Sequence, residues 1–177
     1  MPRPVLVFGY GNPSRGDDAL GPLLLEFVDT HLDSNTIEIL SDFQLQIEHA
    51  LDLENRELVL FVDASVACVS ALDFVWLEPA RDDSFTTHAM SPSAVLQVYQ
   101  AIKKQVPPPC FLLSIKAEKM ELGERLTTQA QDHLNQACHF AGRLLQNPNV
   151  DFWRQQAMER LPIGVELKST ILQCGHA

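Results

Sequence analysis

Two consecutive aspartates, Asp17 and Asp18, close a loop that opens as Gly9-Tyr10-Gly11-Asn12. A third, Asp63, follows the apolar run Leu58-Val59-Leu60-Phe61-Val62, and a histidine, His88, stands in Thr86-Thr87-His88-Ala89-Met90. Two carboxylates and one imidazole would form an oxygen and nitrogen ligand set suited to a divalent first-row metal, with positions open for solvent or a partner's ligands. The residue types leave open whether such a metal is resident or arrives with a substrate. The four cysteines, Cys68, Cys110, Cys138 and Cys174, are far apart and form no C-x-x-C pair. That argues against structural zinc or a disulfide framework, and they are read as reduced and mostly buried.

Each candidate also has an ordinary structural role. An aspartate in a first helical turn caps the helix or favours its dipole. One aspartate suffices for that; a second, beside glycines that permit close backbone approach and with Asp63 at a neighbouring strand end, points to a functional acidic site. Asp63 alone would read as a strand-terminal residue bonded to loop amides, and His88 alone as an exposed loop residue. His31, His133 and His139 fall on expected helices without a matching ligand at i+4, His49 on a short surface helix, and His176 near the terminus.

The elements that must position these residues follow from patterning. Val5–Phe8 is a continuous apolar run ended by glycines, as expected of a strand buried on both faces, and residues 20–32 show helical spacing at Leu24, Phe27, Val28 and His31. A second strand at 36–40, a short helix at 44–53 and a third strand at 57–62 complete a βαβαβ pattern and hence a parallel sheet. Too few residues separate Ala64 from the next strand, 71–77, for a parallel crossover, so the fourth strand is expected to be antiparallel. Ser91-Pro92 reads as an N-cap with proline at the first helical position, opening a helix to Lys104; a fifth strand at 111–116 and a helix at 127–145 follow. At 177 residues with 46% hydrophobic content the chain suits one domain, residues 1–146. Asn147-Pro148-Asn149 breaks the pattern, and 147–177, with a short helix at 152–160, read as a C-terminal appendage whose role the sequence does not assign.

In an open parallel α/β sheet, ligand sites form outside the carboxyl ends of the strands. That rule selects Gly9–Asp18 and Val62–Ser65. The glycines superficially match a dinucleotide fingerprint, but the spacing is wrong, and Asp17 and Asp18 would repel a pyrophosphate at the helix start. His88 follows a strand that ends at the opposite edge. About ten extended residues reach roughly 30 Å and a seven-residue strand covers only about 23 Å, so the return is feasible and His88 can join Asp18 and Asp63.

A formal charge of −10 disfavours nucleic acid and suits a neutral or basic protein partner. The start of the chain has no charged and apolar leader, and no apolar stretch approaches the roughly 18 residues of a membrane span, so a cytoplasmic location without membrane attachment is expected.

The run Gly9-x-Gly11-Asn12-x-x-x-Gly16-Asp17-Asp18-x-x-Gly21, with Asp63 ending a buried strand and His88 in a Thr-Thr-His-x-Met segment, resembles the hydrogenase maturation endopeptidases over roughly residues 4–146. The resemblance implies an α/β fold, a three-layer, phosphorylase/hydrolase-like arrangement with a twisted mixed sheet of about five strands flanked by helices. It implies an enzyme that cuts the C-terminal extension from the nickel-iron hydrogenase large-subunit precursor after nickel insertion. The nickel-sensing ligands, carried over by position, would be Asp18, Asp63 and His88. The nickel would belong to the substrate, with no intrinsic cofactor, and the catalytic group proper stays unassigned. A monomer or weak oligomer is expected. Ala19 stands where many relatives have glycine, and the tail after about Asn147 is not part of the pattern.

Two other readings compete. Asn12-Pro13-Ser14-Arg15-Gly16 is one residue from a G-x-S-x-G elbow, and Ser14, Asp63 and His88 follow a triad order, which would make a serine hydrolase. The first glycine is missing and the loop is long for a sharp elbow. A non-catalytic metal-site chaperone for the same precursor would suit the acidic surface and the ligand types equally well.

Overall fold

The computed structural model describes residues 1–33, 35–82 and 89–161. Five strands, β1 (Val5–Tyr10), β2 (Ile37–Asp42), β3 (Leu58–Ser65), β4 (Leu72–Trp76) and β5 (Cys110–Lys116), form one sheet in the order β2-β1-β3-β5-β4. All pairings are parallel except that of β4 with β5, which is antiparallel, as the short β3–β4 connection required. The helices are α1 (Leu20–His31), α2 (Pro92–Lys103), α3 (Thr128–Gln146) and α4 (Val150–Glu159). Ser91 caps α2 by accepting from the Ala94 amide, with Pro92 at the first helical position.

Strand alternation divides the core into two layers around the sheet. Val5, Val7, Leu60 and Val62 face α1, α3 and α4, whereas Leu6, Phe8, Val59 and Phe61 face α2 and the segment 45–53. The result is a three-layer mixed α/β fold. Among the described residues no helix is long and apolar enough to cross a membrane.

Three local expectations change. The helix expected at 44–53 is a 3-10 helix over Ile47–Leu53. Gly9 does not end β1 but lies within it. A Cβ there would come within 2.7 Å of the Leu25 side chain and 2.9 Å of the Gly21 carbonyl, so the glycine exists for the close crossing of α1 over β1. Finally, the expected appendage is built into the core as far as α4. Trp153 is fully buried against Phe74 and Phe111, and its indole N–H donates to the carbonyls of Leu144 (2.9 Å) and Asn147 (3.1 Å). An indole buried with its one polar atom satisfied is core packing. Residues 162–177 lie outside the described part.

Candidate functional site

The loop after β1 is folded back on itself. Gly11 has φ +144, a region that L side chains rarely adopt, and a Cβ there would sit 2.1 Å from the Asp18 carbonyl oxygen. Its amide donates to the Asp42 carbonyl at the end of β2 (3.1 Å). The next amide, Asn12 N–H, donates to Asp18 Oδ2 at 2.8 Å. One Asp18 oxygen is thus fixed by the loop it closes, and the carboxylate remains partly exposed at the carboxyl edge of the sheet.

Asp17 does something else. An aspartate in a first helical turn is expected to cap the helix or favour its dipole, but this side chain caps nothing in its own helix. It is fully buried and accepts four hydrogen bonds: Glu118 N–H (2.7 Å), Lys119 N–H (3.1 Å), Thr127 N–H (2.8 Å) and the Thr127 hydroxyl (2.8 Å). Burial by itself pushes the carboxyl up, and the donors of Thr127, Glu118 and Lys119 more than offset it, leaving the pKa below the ordinary 3.8. Asp17 therefore pins the β5–α3 connection, and the N-cap of α3 with it, against the loop that carries Asp18.

Asp63 lies on β3 on the same side of the sheet as Val59 and Phe61, four and two residues earlier. On that face it adjoins Tyr10, whose buried phenol lies beside the carboxyl and helps the ionised form. Burial is the largest influence and pushes Asp63 up; with the Ala64 amide lowering it and the charge of Asp18 raising it, the pKa reaches about 7. The same carboxylate, after burial, holds the Tyr10 phenol well above its usual range. Gly21, three residues after Asp18, packs against the carbonyls of Tyr10 at the end of β1 and of Val62 next to Asp63, which sets the two aspartates, 45 positions apart in sequence, at neighbouring strand ends.

Register extends this acidic row in a way that spacing alone did not reveal. Asp63 pairs with Ser114 of β5, and Ser114 pairs with Asp73 of β4, so three polar residues align across adjacent strands. At about 4.8 Å per strand, the Cα atoms of Asp63 and Asp73 are roughly 10 Å apart. The Cys68 thiol, in the β3–β4 turn, lies against Asp73 and Ser65; burial first, then Asp73, push it up to about 11, so it is protonated at neutral pH and not an activated nucleophile. Cys110 is also buried, and Cys138 half-buried; all three are free, as expected. Cys174 is outside the described residues.

No family model matches the chain, and no curated sequence matches it. Solved structures do. The hydrogenase maturation protease HycI from Thermococcus kodakarensis superposes with a TM-score of 0.65 at 20% identity, over 82% of this chain and 94% of its own. The hydrogenase-maturating endopeptidase HybD from E. coli gives 0.65 at 22%, over 82% and 93%, and an E. coli endopeptidase solved in solution gives 0.66 at 20%, over 82% and 94%. The fold is that of the hydrogenase maturation proteases.

On this fold the sequence-derived residues divide cleanly. Asp18 and Asp63 are brought together, while His88 lies outside the described residues, and among those described no three His, Cys, Asp or Glu side chains are grouped to hold a metal. His49 is engaged locally: Nδ1 accepts from the Gln46 amide (2.8 Å), which in the neutral ring puts the proton on Nε2, facing Asp42 Oδ2 at 3.3 Å. His31 and His133 bond backbone carbonyls through Nδ1. Ser14 is exposed, its carbonyl accepting from Gly123 N–H (2.8 Å), and among the described residues neither imidazole nor carboxylate bonds its hydroxyl.

Proposed function

We propose that this chain is a cytoplasmic hydrogenase maturation endopeptidase that removes the C-terminal extension of a nickel-iron hydrogenase large-subunit precursor once nickel is inserted, with Asp18, Asp63 and His88 as ligands to the substrate's nickel. The observation that carries this reading is the placement of Asp18 and Asp63 at neighbouring strand ends on the carboxyl edge of a sheet with the maturation-protease fold. The chain re-enters the described structure at Ala89 and Met90 on the Asp63 side of the sheet, where the Met90 amide donates to the Leu45 carbonyl (3.2 Å) and its side chain packs against the core layer on that face. His88 stands two positions before Met90 in the sequence, and its ligand role is proposed from the Thr-Thr-His-x-Met segment.

In this reading the buried Asp63 carboxyl is costly to ionise only while no cation is present; precursor-bound nickel would favour its charged form and so be recognised electrostatically. Nickel held between enzyme and precursor positions the scissile peptide, and the metal or a carboxylate activates water for attack on its carbonyl. The chain's acidity suits a neutral or basic precursor surface.

The test is incubation of nickel-loaded precursor with the parent protein and with Asp18→Ala, Asp63→Ala and His88→Ala, followed by mass measurement of the precursor. The parent shortens the precursor at its C-terminus and each variant leaves it intact. Full processing by Asp18→Ala would overturn the ligand assignment. An unchanged precursor mass with the parent would leave a binding protein in place of a protease.

A further inference from the structure

On the face of the sheet opposite Asp63, a groove of about 490 Å³ runs between α3, the start of β4 and the end of α4. Its polar lining is donor-rich: Arg143, Arg160, His139, Asn135, Gln136 and Ser70, with no carboxylate among the described lining residues. Ala71, Leu72 and Phe140 supply apolar surface.

Two arginines line this groove in a chain whose acidic residues outnumber its basic ones, 23 to 13. Acidic partners were abundant, and ion pairs form elsewhere, as between Arg56 and Glu38 or Lys103 and Glu54. Among the described residues neither groove arginine pairs with a carboxylate. Arg143 reaches only the Gln156 side-chain oxygen at 3.4 Å, and the Arg160 guanidinium lies 4.3 Å over the Phe140 ring. Stacking leaves the guanidinium N–H groups at the ring edge available to bond a further acceptor. The fork of arginine donors matches an oxyanion.

From this we propose a second binding site, in which Arg143 and Arg160 hold the oxyanion of a small organic acid, either a carboxylate or a phosphate ester. The volume lies within the range of about 300–1,000 Å³ usual for small-molecule sites. The amides of Asn135 and Gln136 supply further donors, and the apolar patch takes the carbon framework. This site is independent of the proposed nickel-dependent cleavage.

The experiment is isothermal titration of the full chain with pyrophosphate and, separately, with citrate at low salt, which distinguishes phosphate from carboxylate sources. Saturable 1:1 binding of at least one probe is expected, weakened at least about tenfold by Arg143→Gln with Arg160→Gln and lost as salt screens the charges. Gln136→Glu is an independent variant on an exposed position that puts a negative charge in the groove without touching the core, and it too should abolish binding. Failure of both probes to bind the parent, or undiminished binding to the Gln136→Glu protein, would overturn the proposal, whatever the outcome of the precursor assay.

Discussion

Asp63 offers a direct test of the electrostatics of the acidic cleft through Asp63→Asn. In the folded chain its carboxyl titrates at about 7, against an ordinary 3.8, mainly because it is buried. The gap is roughly three pH units, and at about 1.4 kcal/mol per unit the folded state forgoes up to about 4 kcal/mol at high pH. Partial solvent contact makes that an upper bound. The sign follows from proton counting. Below the unfolded pKa the group is protonated in both states and costs nothing. Between 3.8 and 7 the unfolded chain is ionised while the folded one keeps its proton, so stability falls as pH rises; above 7 the deficit is constant. Asparagine fills nearly the same volume and carries no titratable proton. Urea unfolding of both proteins across pH 4 to 8 gives the difference directly, with other titrating groups cancelling. The variant should gain about 2–4 kcal/mol on the parent over that range, mostly before pH 7. A difference that stays flat with pH would refute the placement of Asp63 in a desolvated, acid-flanked position.

Three further outcomes follow from particular contacts. Asp17→Asn keeps the shape but turns an amide against donors of Glu118, Lys119 and Thr127, and urea unfolding should show a loss of about 2–4 kcal/mol at pH 7. Because the Asp17 pKa is lowered in the folded state, this loss should shrink as pH falls through it, and a loss unchanged down to acid pH would contradict the clamp. Gly11→Ala forces a Cβ onto the Asp18 carbonyl, so precursor cleavage should drop sharply while urea unfolding registers a loss of only about 1–3 kcal/mol; unimpaired cleavage would count against this loop as the ligand-bearing one. Trp153→Ala should cost about 3–5 kcal/mol in the same unfolding assay, as expected for a core aromatic, whereas a residue on a detached appendage would cost almost nothing.

The sequence by itself determined the order of elements, because that order is written in local spacing. Apolar runs marked the strands, Ser91-Pro92 the start of α2, and the short stretch after Ala64 the antiparallel β4, since no crossover fits in it. Even the meeting of Asp18 with Asp63 followed from the rule that parallel strands gather their functional loops at the carboxyl edge. Tertiary structure decided the partners. Asp17 looked like a helix-start residue because its four donors lie 101 to 110 positions away, beyond any local pattern. The row through Asp63, Ser114 and Asp73 depends on strand register, which a slip of one residue would turn to the opposite face. Trp153 stands after a break of Asn147-Pro148-Asn149 that reads as an end. Only the aromatic surface assembled from β4 and β5 gives that indole a place to be buried.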